Sequence, residues 1–366
     1  MLNFNDIFVD DTKYGMKIPK EKYLSVGLYP VIDQSKEQIA GYTDESEGIY
    51  CDVPAIIFGD HTRIIKYIDV PFFLGADGTK LLKIKDNTAF NCKYLYYALS
   101  NAKIPNTGYN RHFKWLKELS FNIPSIEKQR EIADLMDIIV NLENLRKKQL
   151  EKLELFVKSR FIEMFGDPKS NPKGWNKKTL SEIITKANNG MARRGNDESG
   201  SIVLRLVELQ GGFIDYSKPN RIILTEKEQE KYLLQENDIL FARVNGNPLN
   251  VGRCAVFHTI DEAVYHNDHI IRVHFDDSLI NGVFASNILN SEYGKDQLKN
   301  KIKTSAGQYT ISQDGIGAIE SIMPPIELQN QYADFVAQVD KSKLAIQQSL
   351  DELETLKKSL MQQYFG

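Results

Sequence analysis

The stretch IPSIEKQREIADLMDIIVNLENLRKKQLEKLELFVKSRFIEMFG, from Ile123 to Gly166, aligns without a gap with MPPIELQNQYADFVAQVDKSKLAIQQSLDELETLKKSLMQQYFG, from Met323 to Gly366. The two stretches lie 200 residues apart, and thirteen aligned positions are identical, the closing Phe-Gly among them. An internal repeat of this length means that the chain contains one structural unit twice. The first question for function is therefore what needs two copies.

Each repeat has the pattern of a long helix. Pro124 and Pro324 stand just before it, where a missing N–H costs nothing, and Glu127 and Glu327 fall in the first turn, where negative charge suits the helix dipole. About 38 helical residues would span roughly 57 Å. One such run alone would be read as a generic helical hairpin, but two matching runs predict helices that pair antiparallel and hold two attached domains at a fixed separation.

Apolar residues recur at spacings of three and four along both runs, which predicts one coiled-coil seam on each helix. The seam residues of the first run are Ile132, Leu135, Ile139, Leu142, Leu145, Leu150, Leu153, Val157, Phe161 and Met164. Those of the second run are Tyr332, Phe335, Val339, Ile346, Leu350, Leu353, Leu360 and Tyr364.

The segments before the helices are rich in short β-branched and aromatic runs, such as Ala55–Gly59 and Ile270–Val273, with helices predicted at 94–102 and 283–301. The fold class predicted is α+β, with two β-rich domains separated and followed by long helices. The expected boundaries are a first domain at 1–122, a helix at 123–166, a linker at 167–178, a second domain at 179–322 and a second helix at 323–366.

Composition narrows the class of protein. The chain has 366 residues, 42% hydrophobic and 26% charged, and its N-terminus lacks the basic start and apolar core of a secretory signal. No membrane span is visible, and three cysteines without CxxC spacing favour a reducing compartment, so we expect a cytoplasmic protein. The net charge is −3, whereas a free-standing nucleic-acid binder is normally basic. If the chain reads DNA, it should do so with other subunits.

The layout resembles the specificity subunit of Type I restriction–modification systems over essentially the whole chain. The residues that carry the resemblance are the two helix openings with the pattern Pro-x-Ile-Glu-x-Gln, at Pro124 and Pro324, the exit Phe161–Pro168, and the strand and turn at Asn237–Arg243 followed by Val251–Arg253. One departure is visible, because the first domain begins almost at Met1, without a counterpart of Lys173-Gly174-Trp175.

The resemblance implies a non-catalytic subunit in which each domain reads one half of a split, asymmetric site in double-stranded DNA while the helices set the gap. It implies two adenine-methyltransferase (modification) subunits and restriction/translocase subunits as partners. No cofactor is expected on this chain; the complex is expected to use S-adenosylmethionine, and ATP with Mg²⁺ for restriction. Two readers a few tens of ångströms apart suit major-groove faces separated by about one helical turn, roughly 34 Å.

Motifs for catalysis are weak. Met323-Pro324-Pro325-Ile326 and Gly315-Ile316-Gly317 are the nearest matches to methyltransferase motifs and fall at a helix start and a loop. Asp77 and Lys80 fit a nuclease-like pattern less well than a turn between strands, and His266, His269 and His274 fit strand or surface positions better than a zinc site. A DNA-modifying enzyme with fused readers and a coiled-coil scaffold protein are the alternative functions.

The candidates for DNA contact are long hydrogen-bond donors in Gly- and Asn-rich loops, since Arg and Lys fork onto guanine and Asn or Gln onto adenine. In the first domain they are Lys17, His61, Arg63, Lys80, Tyr109, Asn110, Arg111 and Lys114. In the second domain they are Arg193, Arg194, Arg243, Asn245, Asn247, Arg253, Gln308 and Tyr309. A solvated loop with a packed tyrosine is the alternative interpretation of either loop.

Overall fold

The computed structural model describes residues 1–75, 78–108, 110–305 and 307–366. The chain forms two compact units, the first made of residues 1–149 with 346–366 and the second of residues 150–345. Two 40-residue helices therefore each contribute to both units. Each unit combines one β-rich domain with the beginning of one long helix and the end of the other.

The first unit contains a four-stranded antiparallel sheet of order β2-β8-β5-β6, a three-stranded sheet of order β4-β3-β7 and the pair β1-β9. Its strands are β1 (Leu2–Asn3), β2 (Phe8–Asp10), β3 (Tyr29–Ile32), β4 (Gly41–Thr43), β5 (Ala55–Gly59), β6 (Ile65–Ile68), β7 (Phe73–Leu74), β8 (Thr79–Ile84) and β9 (Ser120–Phe121). Its α-helices are α1 (Phe4–Ile7), α2 (Cys92–Asn101), α3 (Phe113–Lys117), the first part of α4 (Ile126–Phe165) and the last part of α9 (Ile326–Phe365).

The second unit has a four-stranded antiparallel sheet of order β11-β18-β14-β16, the sheets β13-β12-β17 and β15-β20-β19, and the pair β10-β21. Its strands are β10 (Asn176–Thr179), β11 (Ile184–Asn189), β12 (Ser201–Leu204), β13 (Arg221–Ile222), β14 (Ile239–Ala242), β15 (Val244–Asn245), β16 (Cys254–Val256), β17 (Val264–His266), β18 (Ile270–Phe275), β19 (Lys303–Ser305), β20 (Gln308–Thr310) and β21 (Glu320–Met323). Its α-helices are the last part of α4, α5 (Glu226–Tyr232), α6 (Gly282–Asn290), α7 (Glu292–Lys299), α8 (Gln313–Gly317) and the first part of α9 (Ile326–Phe365).

The α+β fold class is confirmed, with β-rich domains and two long helices. A central strand lies at the core of each domain, because β5 and β14 are buried at every position and pair on both sides. The predicted helix at 283–301 is interrupted, since Ser291 ends α6 and its hydroxyl accepts a hydrogen bond from the Gly294 N–H as the N-cap of α7. In the described part of the chain, no helix is both long and apolar enough to cross a membrane.

The repeated glutamine at the start of each long helix makes the same three hydrogen bonds in both units. Oε1 of Gln129 accepts from the N–H of Asn91, the N-cap of α2, and its Nε2 donates to two backbone carbonyls, those of Ala89 and Pro124. Gln329 does the same with Asn281, Leu279 and Pro324. Both side chains are fully buried, so this residue ties each long helix to its own domain.

Replacing Gln329 with leucine is expected to lower the free energy of unfolding of the second unit by roughly 2–5 kcal/mol, since a buried N–H and two carbonyls would lose their partner. Chemical denaturation of the full chain measures this. Gln338 is exposed on the same helix, and the Gln338→Leu control should change stability by less than about 0.5 kcal/mol. Equal effects of the two substitutions on stability would contradict the conclusion that Gln329 ties the long helix to its domain.

The predicted seam is buried at the ends of the helices but not in the middle of the first one. Phe161 packs against Tyr332, with ring centroids 5.5 Å apart, and Phe156 lies 5.0 Å from Phe335, an antiparallel order within the second unit. Leu142 and Leu145, predicted to be seam residues, are instead 38% and 57% exposed. The three-and-four spacing does not identify which apolar residues find a partner, so this part of the prediction was wrong.

In the first unit an ion pair on a buried carboxylate lies next to these exposed leucines in the sequence. Lys357 Nζ donates to Glu143 Oε2 at 2.7 Å, and the Glu143 side chain is only 7% exposed. The charged pair joins the first part of α4 to the last part of α9, where the spacing rule had placed only apolar contacts.

The junction after α4 is ordered. The indole N–H of Trp175 donates to the Phe165 carbonyl, and Lys173 Nζ donates to the carbonyls of Glu163 and Met164. These three hydrogen bonds satisfy carbonyls that the end of a helix leaves without partners.

Candidate nucleic-acid interface

In the first domain the candidate loop is anchored to the end of the central strand β5. The N–H of His112 donates to the Asp60 carbonyl at 2.7 Å, and the N–H of Phe113 donates to Asp60 Oδ1 at 2.8 Å. Asp60 and His112 are buried, and His112 Nδ1 lies 3.0 Å from the same carbonyl. The turn after β5 and the loop before α3 are therefore held together as one surface.

Several predicted contact residues of the first domain lie around this anchor. His61 and Arg63 are in the turn after β5, where Arg63 has a left-handed φ of 61° and its Nη1 donates to the Ile104 carbonyl. Lys80 lies on β8, pairs with Asp10 at 3.2 Å and sits 4.9 Å from the ring centroid of Phe113.

The remaining candidates of the first domain divide by position. Asn110 and Arg111 are exposed in the loop, and Asn110 Nδ2 donates to the Thr107 carbonyl. Lys114 is exposed on α3, with its Nζ 4.1 Å from the centroid of the Trp115 ring. Lys17 is not part of this group, since it bridges to Leu74 beside β7, and Tyr109 lies outside the described residues.

The second domain has the same kind of anchor at the end of its central strand β14. The N–H of Ile311, just after β20, donates to the Arg243 carbonyl at 3.0 Å. Arg243 Nη1 donates to the Asp268 carbonyl, and Asp268 Oδ1 accepts from Arg194 Nη2 at 2.6 Å. Asp268 thus joins two predicted contact residues that are 49 positions apart in the sequence.

Asn245 and Asn247 shape the loop after β14 through their side-chain oxygens. Asn245 Oδ1 accepts from the N–H of Asn247, whose own Oδ1 accepts from the N–H of Leu249. These are Asx turns, which fix the backbone and leave the amide Nδ2 groups as donors. Asn245 pairs with Tyr309 across β15 and β20, and Gln308 is exposed at the start of β20.

Arg193 is held by a carboxylate on α5. Its Nε and Nη2 donate to the two oxygens of Glu228 at 3.1 and 2.8 Å, and Nη2 also donates to the Ile223 carbonyl. The hydrogen bond from this guanidinium, together with bonds from Thr225, lowers the pKa of Glu228 to about 2. The pair is charged throughout the physiological range, so Arg193 is a fixed positive group.

Arg253 points back into the domain. Its Nη2 donates to the Leu206 carbonyl at 3.0 Å, and burial lowers the pKa of its guanidinium. Arg253 was predicted to contact DNA, but its side chain supports the neighbouring loop instead of extending from the surface. A sequence cannot separate such an arginine from an exposed one.

A cleft next to Arg193 and Arg194 contains residues that sequence reasoning missed. It has a volume of about 480 Å³, and its further lining residues are Gly195, Asn196, Val203, Arg205, Lys218, Pro219, Asn220, Ile222 and Asn267. These residues come from four separate parts of the second domain. No sequence spacing predicts that these segments come together. The high content of Arg and Asn was the only feature of the sequence that indicated a binding surface here.

His266 lies on β17, beside the cleft residue Asn267, and is buried against the Tyr232 ring. Burial, and secondarily the charge of Arg272, lower the pKa of His266 to about 4. The imidazole is therefore neutral in the folded domain at pH 7.

Acidification is expected to destabilise the second unit through His266. The unfolded chain takes up this proton near pH 6.5 and the folded chain only near pH 4, so stability from the neutral imidazole is complete above pH 6.5 and falls as the pH approaches 4. Between pH 7 and pH 5 the loss should be roughly 2 kcal/mol. Denaturation of the wild-type chain and the His266→Gln variant at both pH values measures the difference. If the His266→Gln variant lost as much stability between pH 7 and pH 5 as the wild-type chain, the loss would not come from His266.

Histidine and carboxylate groups do not gather at a metal-binding spacing in the described ranges, where no cluster of three or more His, Cys, Asp or Glu is found. His269 Nε2 lies 3.3 Å from Arg194 Nη2, and His274 Nδ1 lies 2.9 Å from Asp238 Oδ1. Asp77, weighed above as part of a nuclease-like pattern, is outside the described residues.

Comparison with known proteins identifies related chains. The family described as "Type I restriction modification DNA specificity domain" matches residues 3–155 and 172–355. The StySPI specificity subunit of a type I restriction enzyme from Salmonella potsdam is 27% identical over 284 residues, which cover 72% of this chain and 61% of that protein. The EcoKI specificity subunit from Escherichia coli K12 is 21% identical, covering 73% and 62%. The chain thus spans about three fifths of the length of these relatives.

Two solved structures share the fold. The S subunit of a type I restriction–modification system from M. genitalium has a TM-score of 0.65 at 16% identity, covering 100% of this chain and 95% of its own. A chain from a structure on complex assembly of the type I R-M system has a TM-score of 0.56 at 14% identity, covering 100% and 96%.

Proposed function

This chain belongs to the family of Type I restriction modification DNA specificity proteins, and on that premise we propose that it is the DNA-reading subunit of a type I restriction–modification complex. Each β-rich domain reads one half of a split site in double-stranded DNA, and α4 and α9 set the gap. The half-sites differ because the candidate loops of the two domains differ in sequence.

One observation carries this proposal. In both domains a candidate loop is bonded to the residue after the central strand by a backbone hydrogen bond, from His112 to Asp60 in one and from Ile311 to Arg243 in the other. Long hydrogen-bond donors lie beside each anchor, such as Asn110 and Arg111 in the first domain and Asn245, Asn247 and Gln308 in the second. Two equivalent donor-rich surfaces on different sequences are what a protein needs to read two different half-sites through base edges.

Catalysis is assigned to partner subunits. Two adenine-methyltransferase subunits would supply methyl transfer from S-adenosylmethionine, and restriction/translocase subunits would use ATP with Mg²⁺. The role proposed for this chain is to bind and position DNA in the cytoplasm.

Selection from random DNA tests the proposal. The chain, purified with its modification subunits, should enrich two short sequence blocks separated by a constant gap. A single contiguous block, or no enrichment by an intact complex, would overturn the proposal, and the second outcome would favour a scaffold protein. Methyl transfer by this chain alone would favour a fused modifying enzyme.

The isolated chain is expected to bind DNA weakly, because its net charge is −3 and phosphate neutralisation supplies most non-specific affinity. Adding the modification subunits should raise the affinity for the selected site at physiological salt, as measured by fluorescence anisotropy. Sequence-specific binding by the lone chain with a Kd below about 1 nM would contradict the proposal that the modification subunits supply much of the affinity for DNA.

A further inference from the structure

The cleft in the second domain has the composition of a nucleotide site. Its volume of about 480 Å³ is within the range of roughly 300–1,000 Å³ typical of small-molecule sites. The half-buried Pro219 and the largely buried Ile222 supply apolar surface, while guanidinium, ammonium and amide groups supply polar surface. A nucleotide presents the same combination, since its base has apolar faces and polar edges and its phosphate is anionic.

The three arginines of the cleft are suited to a phosphate. Arg193 and Arg205 use Nε and Nη2 on Glu228 and Glu208, and Arg194 uses both Nη atoms on neighbours that include Asp268. Each therefore retains a single nitrogen without a partner among the described residues. A single donor can bind a phosphate oxygen, but bidentate recognition of guanine needs two.

Lys218 gives the cleft its uncompensated positive charge. The three arginines are balanced by Glu228, Asp268 and Glu208. Lys218 is exposed, and it has no hydrogen-bond or ion-pair partner in the described ranges. The cleft can therefore accept one anionic group without displacing an existing ion pair.

Two asparagines have unused hydrogen-bonding groups in the cleft. Asn220 is only 8% exposed, yet its side-chain amide has no partner among the described residues and is not sealed from solvent. Asn267, also buried, accepts the His269 N–H at Oδ1 and keeps Nδ2 as a donor. Both amides are therefore available to hydrogen-bond a ligand in the cleft in place of water.

From this combination we propose that the cleft binds one nucleotide, with its base edge on the Asn220 amide and its phosphate on Lys218 and the arginines. The amide offers a donor beside an acceptor, and each of the four bases has a donor beside an acceptor on its Watson–Crick edge, so the Asn220 amide can bind any of them. The nucleotide comes either from solution or from a DNA strand in which it has left the base stack. For the DNA source, this inference rests on the proposed function.

The test compares probes on the full chain by isothermal titration and NMR. AMP, CMP, GMP and UMP should all bind more tightly than pyrophosphate, and Lys218→Ala should weaken AMP binding while reducing its salt dependence. Asn220→Leu should weaken AMP binding about tenfold to a hundredfold. Asn220→Asp keeps the side-chain volume and provides only acceptors, so it should shift the base preference toward guanine, whose N1–H and N2–H are adjacent donors. A merely structural role for Asn220 would not change the order of bases.

A second set of probes identifies the source. Duplexes with a single unpaired adenine or thymine are compared with a fully paired duplex, in the presence of the modification subunits. Binding of free AMP in the cleft identifies a solution nucleotide. A preference for the duplexes with an unpaired nucleotide over the paired duplex, lost in Asn220→Leu, identifies a DNA nucleotide. If neither depends on Asn220, or pyrophosphate binds as well as AMP, the proposal is overturned. Selection of a split site by the same variants reports separately on the proposed function.

Discussion

Alanine at Arg243, Asn245 and Asn247 is expected to weaken binding of the complex to its site by roughly one to four orders of magnitude. A good bidentate base contact contributes about 1–3 kcal/mol, and this range corresponds to the loss of two such contacts predicted for these three residues. The loss should concern only the half-site read by the second domain. Binding to DNA with each half-site scrambled in turn measures this, and preference for the other half-site should survive.

The control for this experiment follows from the contacts of the loop. Because Asn245 and Asn247 also fix the backbone, alanine removes both the turns and the amide donors. Serine at these two positions can still accept the turn hydrogen bonds but lacks the amide N–H₂ groups. If the serine variant reads the half-site as well as the wild-type protein, the asparagines act through loop geometry alone. Equal loss at both half-sites would contradict assignment of this loop as a reader.

Lengthening both long helices is expected to change the recognised gap and abolish recognition of the original site. Four helix-forming residues inserted after Gln149 in α4 and after Ala345 in α9, where the compact units divide, add about 6 Å and 40° beyond a full turn. At roughly 3.4 Å per base pair, the gap should lengthen by about two base pairs. Selection from random DNA with the modification subunits present measures the new gap.

A seven-residue insertion at the same two positions separates length from rotation. It adds about 10 Å but leaves only about 20° of net rotation. The gap should therefore grow by about three base pairs, while the second domain is rotated less about the helix axis than with the four-residue insertion. Insertion into one helix alone should disrupt the packing of each helix on its partner. A folded complex with both insertions that still selects the original gap would show that spacing is set elsewhere.

The helices were predictable from the sequence because a repeat and an apolar period are both visible there. The role of Gln129 and Gln329 was not, although both stood out as identical positions. Glutamine in a first helical turn is usually solvated, and only the folded domain brings the Asn91 and Asn281 N–H groups to it. The break at Ser291 was missed for a related reason, since apolar residues continue on both sides of it.

The residue types of the candidate interface were predictable from the sequence, but the contacts that hold these residues in place were not. Loops rich in Arg and Asn could be identified, while the buried groups that hold them, such as Asp60 and His112, are far apart in sequence and look ordinary. Arg253 and Arg243 were indistinguishable as sequence, yet the structure turns one inward to Leu206 and bonds the other to Asp268. Contacts between distant segments decide these cases.

Asn101 of the first domain donates through Nδ2 to the carbonyls of Met361 and Phe365 at the end of α9, and the Phe365 ring lies 5.1 Å from that of Tyr94. These contacts impose an order on biosynthesis. The second unit is continuous, but the first must wait until residues 150–345 have been translated, about 10–40 s at 5–20 residues per second. The first domain therefore leaves the ribosome early and is completed last, with apolar surface exposed meanwhile to chaperones and proteases.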